Sequence, residues 1–344
     1  MTPMTPMTPM TIDTFLPLLF WLLMGVAMLA YVALDGYDLG VGMLLPLAGT
    51  DAHKDHMVAS IGPFWDANET WLVMGVGLLL IAFPKAHGVI LGALYLPVAV
   101  MLMGLILRGV AFDFRVKAQA QHKPLWNFAF FAGSLITSLA QGWMLGRFVT
   151  GLAETPPAYA FSAWVMLALP AAYVLLGACW LILRTEGELQ QRAVVWAKAA
   201  WPGLVLALAL VSVATPLVSD TVRERWFSLP NLLALLPIPL ATALALVALR
   251  ALLNSHRVAG PKGKLCWAPL LLALSVLVLG AFGLAFSLYP YVVLDRYTMW
   301  EVASATESLK FIAVGAVLVL PTIAGYTVFV YRVFGGKTTA LRYG

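Results

Sequence analysis

Nine stretches of this chain stay apolar long enough to cross a bilayer, and nothing else in the sequence limits the fold so strongly. They lie near residues 14–34, 57–83, 87–107, 126–150, 160–183, 196–218, 227–249, 266–289 and 309–331. At a rise of about 1.5 Å per residue, about 20 apolar residues span a hydrocarbon core of roughly 30 Å. Inside lipid every backbone N–H and C=O must be satisfied by the protein itself, which leaves helices and closed barrels. The apolar character here is continuous, without the ten-residue alternation of an outer-membrane barrel. Only 11% of the 344 residues are charged and 62% are hydrophobic, whereas a soluble domain carries about 25% charged residues. The expected fold class is an all-α polytopic membrane protein of about nine transmembrane helices.

The net charge of +5 does not mark a nucleic-acid surface, because the basic residues alternate between loops. Lys54, Arg108, Arg115, Lys117, Lys123, Arg184, Arg192, Lys198, Arg250, Arg257, Lys262, Lys264, Arg332, Lys337 and Arg342 fall on one side of the nine-helix scheme. Lys85, Arg147, Arg223, Arg225, Arg296 and Lys310 fall on the other, a split of fifteen against six. The positive-inside rule assigns the richer side to the cytoplasm, with the N-terminus outside and the C-terminus inside. The thrice-repeated Met-Thr-Pro makes residues 1–13 an expected disordered tail, since proline at every third position blocks a helix.

The run from Met57 to Phe83 contains Gly62-Pro63-Phe64-Trp65-Asp66-Ala67-Asn68-Glu69-Thr70-Trp71. Asp66, Glu69 and Thr70 are three and four residues apart, so a continuous helix projects them from one face. A carboxylate at the centre of a membrane helix costs about 2.5–3.5 kcal/mol on insertion scales, so such a group needs a partner or water. Either the acids pack neighbouring helices through hydrogen bonds, or they form a proton or ion path. Two further clusters carry charge. Asp35-Gly36-Tyr37-Asp38-Leu39-Gly40-Val41-Gly42 ends the first run, with acids three apart and three glycines that permit a break or a close approach. Arg108-Gly109-Val110-Ala111-Phe112-Asp113-Phe114-Arg115-Val116-Lys117 ends the third; there Asp113 either pairs with Arg115 or Lys117, or helps to form a charged mouth.

The remaining signals are weaker. Residues 50–56 read as a solvated loop in which His53 and His56 flank Asp55. Ser134, Thr137, Ser138 and Gln141 on the fourth run suit helix packing. The five histidines, 53, 56, 87, 122 and 256, fall in loops or at helix ends, so no pair projects from helix interiors as axial haem ligands require. Cys179 and Cys266, the only cysteines, read as isolated thiols that assemble no thiolate metal site.

Together these motifs make the chain resemble subunit II of the cytochrome bd-type quinol oxidases, including the cyanide-insensitive branch. The likeness rests on the 35–42, 62–69 and 108–115 stretches above, on Arg184-Thr185-Glu186-Gly187-Glu188-Leu189, and on Thr298-Met299-Trp300. One departure is Glu301, where an Asp is more usual after the Trp. The resemblance implies two four-helix bundles, 14–150 and 160–290, an outer loop and peripheral ninth helix over 291–334, and a cytoplasmic tail over 335–344. It implies a multi-pass protein of the bacterial cytoplasmic (inner) membrane that binds no haem. Its partner is a haem-bearing subunit I with haem b and haem d, alongside small accessory membrane subunits in some complexes. Together the subunits oxidise quinol and reduce dioxygen to water.

Carried over by resemblance, Asp66, with Glu69 beside it, belongs to a proton path from the cytoplasm, and Asp113 and Lys117 lie near its mouth. Asp35, Asp38, Trp65 and Asn68 match a cluster at which some members hold a structural quinone, and Arg108 supplies a fixed charge near the subunit interface. The alternative class is a proton-coupled secondary transporter that uses the same intramembrane carboxylates.

Overall fold

The structure, a computed structural model, describes residues 11–260 and 263–338. The expectations for the tail through residue 10, for Lys262, and for the terminal tail from residue 339 with Arg342 lie outside the described residues. Helices dominate: α1 (Ile12–Leu44), α2 (Asp51–Ile61), α3 (Trp65–Ala82), α4 (Pro84–Lys117), α5 (Lys123–Val149), α6 (Pro156–Arg184), α7 (Gly187–Val218), α8 (Asp220–Phe227), α9 (Asn231–Leu235), α10 (Pro237–Leu253), α11 (Ala268–Leu288), α12 (Met299–Val302) and α13 (Thr306–Val333). A small antiparallel hairpin, β1 (Tyr291–Val293) and β2 (Tyr297–Thr298), precedes α12. Among the described residues, eight helical stretches are long and apolar enough to cross a membrane.

The expected second span is not one helix. It divides at Gly62-Pro63-Phe64 into α2 and α3, because a proline has no N–H to give the preceding turn and its ring crowds that turn's carbonyl. Consequently Asp66 sits in the first turn of α3 rather than deep inside a continuous helix. The 50–56 segment is likewise not a loop: Thr50 caps α2 by accepting from the His53 N–H, and the helix begins at Asp51.

Elsewhere the helices outrun the apolar stretches. α1 has 33 residues and α4 has 34, about 50 Å each, so both are longer than a hydrocarbon core of roughly 30 Å and carry their motif residues on continuous helix. The Asp35–Gly42 motif is thus a continuation of α1, and its glycines serve close approach. A side chain on Gly177 of α6 would bring Cβ within 2.5 Å of the Gly40 carbonyl carbon, and one on Gly40 would strike the Tyr173 carbonyl. A similar crossing joins α4 to α5, where a Cβ on Gly133 would lie 2.7 Å from both the Arg108 nitrogen and the Gly104 oxygen. Such backbone proximity is how helices associate when lipid supplies no hydrophobic drive between them.

Side-chain contacts show which helix ends lie together. At one end Asp55 receives Arg115 at 2.7 Å and Lys123 at 3.7 Å, Arg250 donates to the Lys198 carbonyl at 3.2 Å, and Lys337 donates to the Thr185 carbonyl at 2.9 Å. At the other, Trp300 donates to the Thr14 carbonyl and Thr306 to Asp13. Ser304 donates there to the Ile81 carbonyl, closing α13 over the end of α3. Glu301 completes a capping box with Thr298, whose N–H and hydroxyl hold its carboxyl below the usual range. The main core gathers Tyr37, Phe64, Phe130, Tyr173 and Trp180 where α1, α5 and α6 cross.

Because the α1–α6 crossing has no room for a side chain, Gly177→Val is expected to destabilise the protein by about 3 kcal/mol. A lowered thermal midpoint of the purified protein reads this, while Gly280→Ala on α11, where a Cβ meets open space, should leave it unchanged.

Candidate functional site

Close to the glycine crossing, α1, α3 and α4 bring a charged cluster inside the protein. Arg108 is 2% exposed, and its Nη1 donates to Asp35 Oδ1 at 2.6 Å. Its Nη2 reaches Glu69 Oε2 at 3.3 Å, and Glu69 is about one third exposed. One guanidinium therefore joins a fully enclosed carboxylate to a second one that touches the surface. Its placement follows from Gly133, which lets α5 pack directly on the α4 backbone at Arg108.

Asp38, one turn beyond Asp35, has no cation in contact. Its Oδ2 accepts from Asn68 Nδ2 at 2.8 Å, and the same amide donates to the Tyr37 hydroxyl at 2.8 Å. The Tyr331 hydroxyl, from α13, donates to Asn68 Oδ1 at 3.1 Å and also meets the Tyr37 hydroxyl. Tyr37 is held by stacking on Trp180, with ring centroids 4.1 Å apart. Above Asp35, Tyr173 donates to Gln141 Oε1 at 2.7 Å and Gln141 donates to the Tyr31 hydroxyl at 2.6 Å. Asp35 Oδ2, Asp38 Oδ1 and Arg108 Nε are buried and find no hydrogen-bond partner among the described residues. Two carboxyls thus share one guanidinium, and a third is held by an amide.

The site residues expected from sequence separate into two groups. Asp35, Asp38, Asn68, Arg108 and Glu69 converge inside. Asp66, Asp113 and Lys117 are exposed on the outer surface of the chain. Asp66 and Glu69 do not share surroundings, because Glu69 turns inward to Arg108 while Asp66 faces out. Thr70 donates its hydroxyl to the Asp66 carbonyl at 3.1 Å. Asp113 forms no ion pair among the described residues; Arg115 goes instead to Asp55 on α2 and to Asn127 on α5.

Trp65 packs on Phe112, at 5.3 Å between centroids, and stands apart from Asp35 and Asp38. The gap between Trp65 and Arg108, lined also by Ile61, Phe112 and Phe130, has no room even for water. Among the described residues no group of His, Cys, Asp and Glu could hold a metal.

Sequence reasoning missed Tyr31, Tyr37, Tyr173 and Tyr331, and it read Gln141 as a packing residue alone. Tyr37 had a signal, lying between two acids in the same motif. Tyr331 had none, since it meets Asn68 across 263 residues.

The chain matches the family model for cytochrome bd terminal oxidase subunit II over residues 16–334. It is 26% identical to the cytochrome bd-I ubiquinol oxidase subunit 2 of Escherichia coli (strain K12), covering 93% of this chain and 94% of that relative. It is 27% identical to the cytochrome bd ubiquinol oxidase subunit 2 of Bacillus subtilis (strain 168), covering 92% and 95% respectively. Among solved structures it aligns with a chain of the bd oxidase from Geobacillus thermodenitrificans at a TM-score of 0.71 and 15% identity, over 93% of this chain and 98% of that one. At that identity the structural likeness speaks for the fold.

Removing one partner of a buried ion pair strands the other. Arg108→Gln is expected to cost about 3–5 kcal/mol, and adding Asp35→Asn should recover a substantial part of the loss. Thermal unfolding of the three variants beside the parent measures both effects.

Proposed function

This chain belongs to the cytochrome bd terminal oxidase subunit II family, and we propose that its part in the oxidase is to carry protons through Asp66 toward an oxygen-reducing centre in the partner subunit. As subunit II of a bd oxidase it is a multi-pass protein of the bacterial inner membrane, part of an oxidoreductase complex with a subunit I. We assign haem b, haem d and quinol oxidation to that partner, and no haem to this chain. Small accessory subunits remain compatible with this division.

The observation that carries the reading is the exposure of Asp66 on an outer face that beyond Thr70 is apolar along α3. Val73, Val76, Leu80 and Ile81 continue that face along α3. A carboxylate left against lipid is costly, and a covering subunit removes the cost while receiving the proton. Asp113 and Lys117, exposed near the end of α4, supply a charged mouth at the same end of the molecule. Glu69 links this outer side to Arg108 within. The fifteen-to-six distribution of basic residues favours a cytoplasmic mouth, with the N-terminus outside. Protons consumed in making water then come from the cytoplasm while quinol protons leave on the other side, which separates charge without pumping. We retain the division into two four-helix groups, 14–150 and 160–290, with a peripheral ninth helix. The oxidase family and relatives favour this reading over a free-standing transporter.

Asp66→Asn is expected to lower oxygen-reduction turnover of the assembled oxidase on the order of tenfold or more, with the haem absorbance spectrum intact. Unchanged turnover in a fully assembled complex removes Asp66 from the proton path.

A further inference from the structure

The turn between α4 and α5 carries an open cleft of about 280 Å³ lined by Phe114, Lys117, Ala118, His122, Leu125 and Trp126. We propose that this cleft holds the head group of an anionic phospholipid. Among the described residues, Lys117 and His122 make no ion pair and no side-chain hydrogen bond, so both stand free to meet a phosphate. The carboxylates nearby do not compete. Asp113 does not line the cleft, and Asp55 is already engaged by Arg115 and Lys123.

The rest of the lining is apolar and aromatic. Phe114 and Trp126 stack at 5.2 Å and form a floor. From that floor an exposed apolar strip runs along both helices toward the middle of the membrane, through Ile106 and Val110 on α4 and Leu125 and Phe128 on α5. The Lys117 ammonium and the His122 imidazole at the mouth, an aromatic floor and an apolar track leading away from it match the order of phosphate, glycerol and acyl chain in a phospholipid. A free phosphate would use only the mouth. The volume points the same way, since sites that enclose drug-sized molecules run from roughly 300 to 1,000 Å³, and a smaller open cleft suits a head group whose tails lie outside. The site lies on this chain alone; it shares Lys117 with the mouth of the proton route proposed above, and its test reads lipid binding rather than turnover, so the two can fail separately.

The test uses the assembled oxidase, purified in mild detergent and stripped of lipid. Native mass spectrometry follows its titration with short-chain phosphatidylglycerol, with phosphatidylcholine, and with inorganic phosphate. The parent protein is expected to bind phosphatidylglycerol at least about fivefold more tightly than the Lys117→Gln, His122→Gln double variant does, and to prefer it to phosphatidylcholine. Equal binding by parent and variant overturns the proposal, and so does displacement of the lipid by an equal concentration of inorganic phosphate, which marks a free-anion site. If the double variant does not assemble, a photoreactive residue in place of exposed Leu125 decides the matter in native membranes. Capture of an anionic phospholipid supports the site; capture of neutral lipid or protein only overturns it.

Discussion

A guanidinium withdrawn from water has to find its acceptors inside the protein, and Arg108 does so with Asp35 at 2.6 Å and Glu69 at 3.3 Å. The geometry of three helices follows from that requirement. α4 must present Arg108 toward α1, α3 must turn Glu69 inward, and α5 must come close enough to seal the pair. Glycine makes the sealing feasible, because a side chain at position 133 would collide with the Arg108 backbone. Charge and small-residue packing are therefore one design. The buried pair is a poor source of net stability, since desolvation offsets its attraction, but it leaves the helices few alternative arrangements.

The same cluster sorts the acids by environment. Asp35 is neutralised by a cation, Asp38 has only an amide and open positions, Glu69 stands at the boundary, and Asp66 is outside. The series runs over a few helical turns, from a carboxyl held by a cation inside to one exposed on the surface. The molecule has the means to enclose acids, and it leaves Asp66 and Asp113 uncovered.

Much of the architecture was legible in the chain itself. The apolar runs located every long helix, and the acids near residues 35, 38 and 69 with Arg108 proved to be neighbours. Two things were harder to see. The Gly62-Pro63 pair does signal a break, but the apolar character on both sides masks it, and reading through it merged α2 and α3 into one span. The tyrosine and amide partners were hidden for a different reason. Tyr31, Tyr173 and Tyr331 look like ordinary membrane aromatics, and only three-dimensional packing brings their hydroxyls to Gln141 and Asn68. Helix periodicity specifies which way a side chain points, whereas the partner it meets depends on crossings that no local pattern encodes.

Tyr331 lies near the end of the last helix, and it completes the hydrogen bonding of Asn68 and Tyr37 from the opening third of the chain. During synthesis those two groups must wait, incompletely partnered, until more than 250 further residues have left the ribosome. The final helix therefore acts as a latch on the maturation of the polar centre. A polypeptide truncated before the last helix would lack the hydroxyl that meets Asn68 and Tyr37.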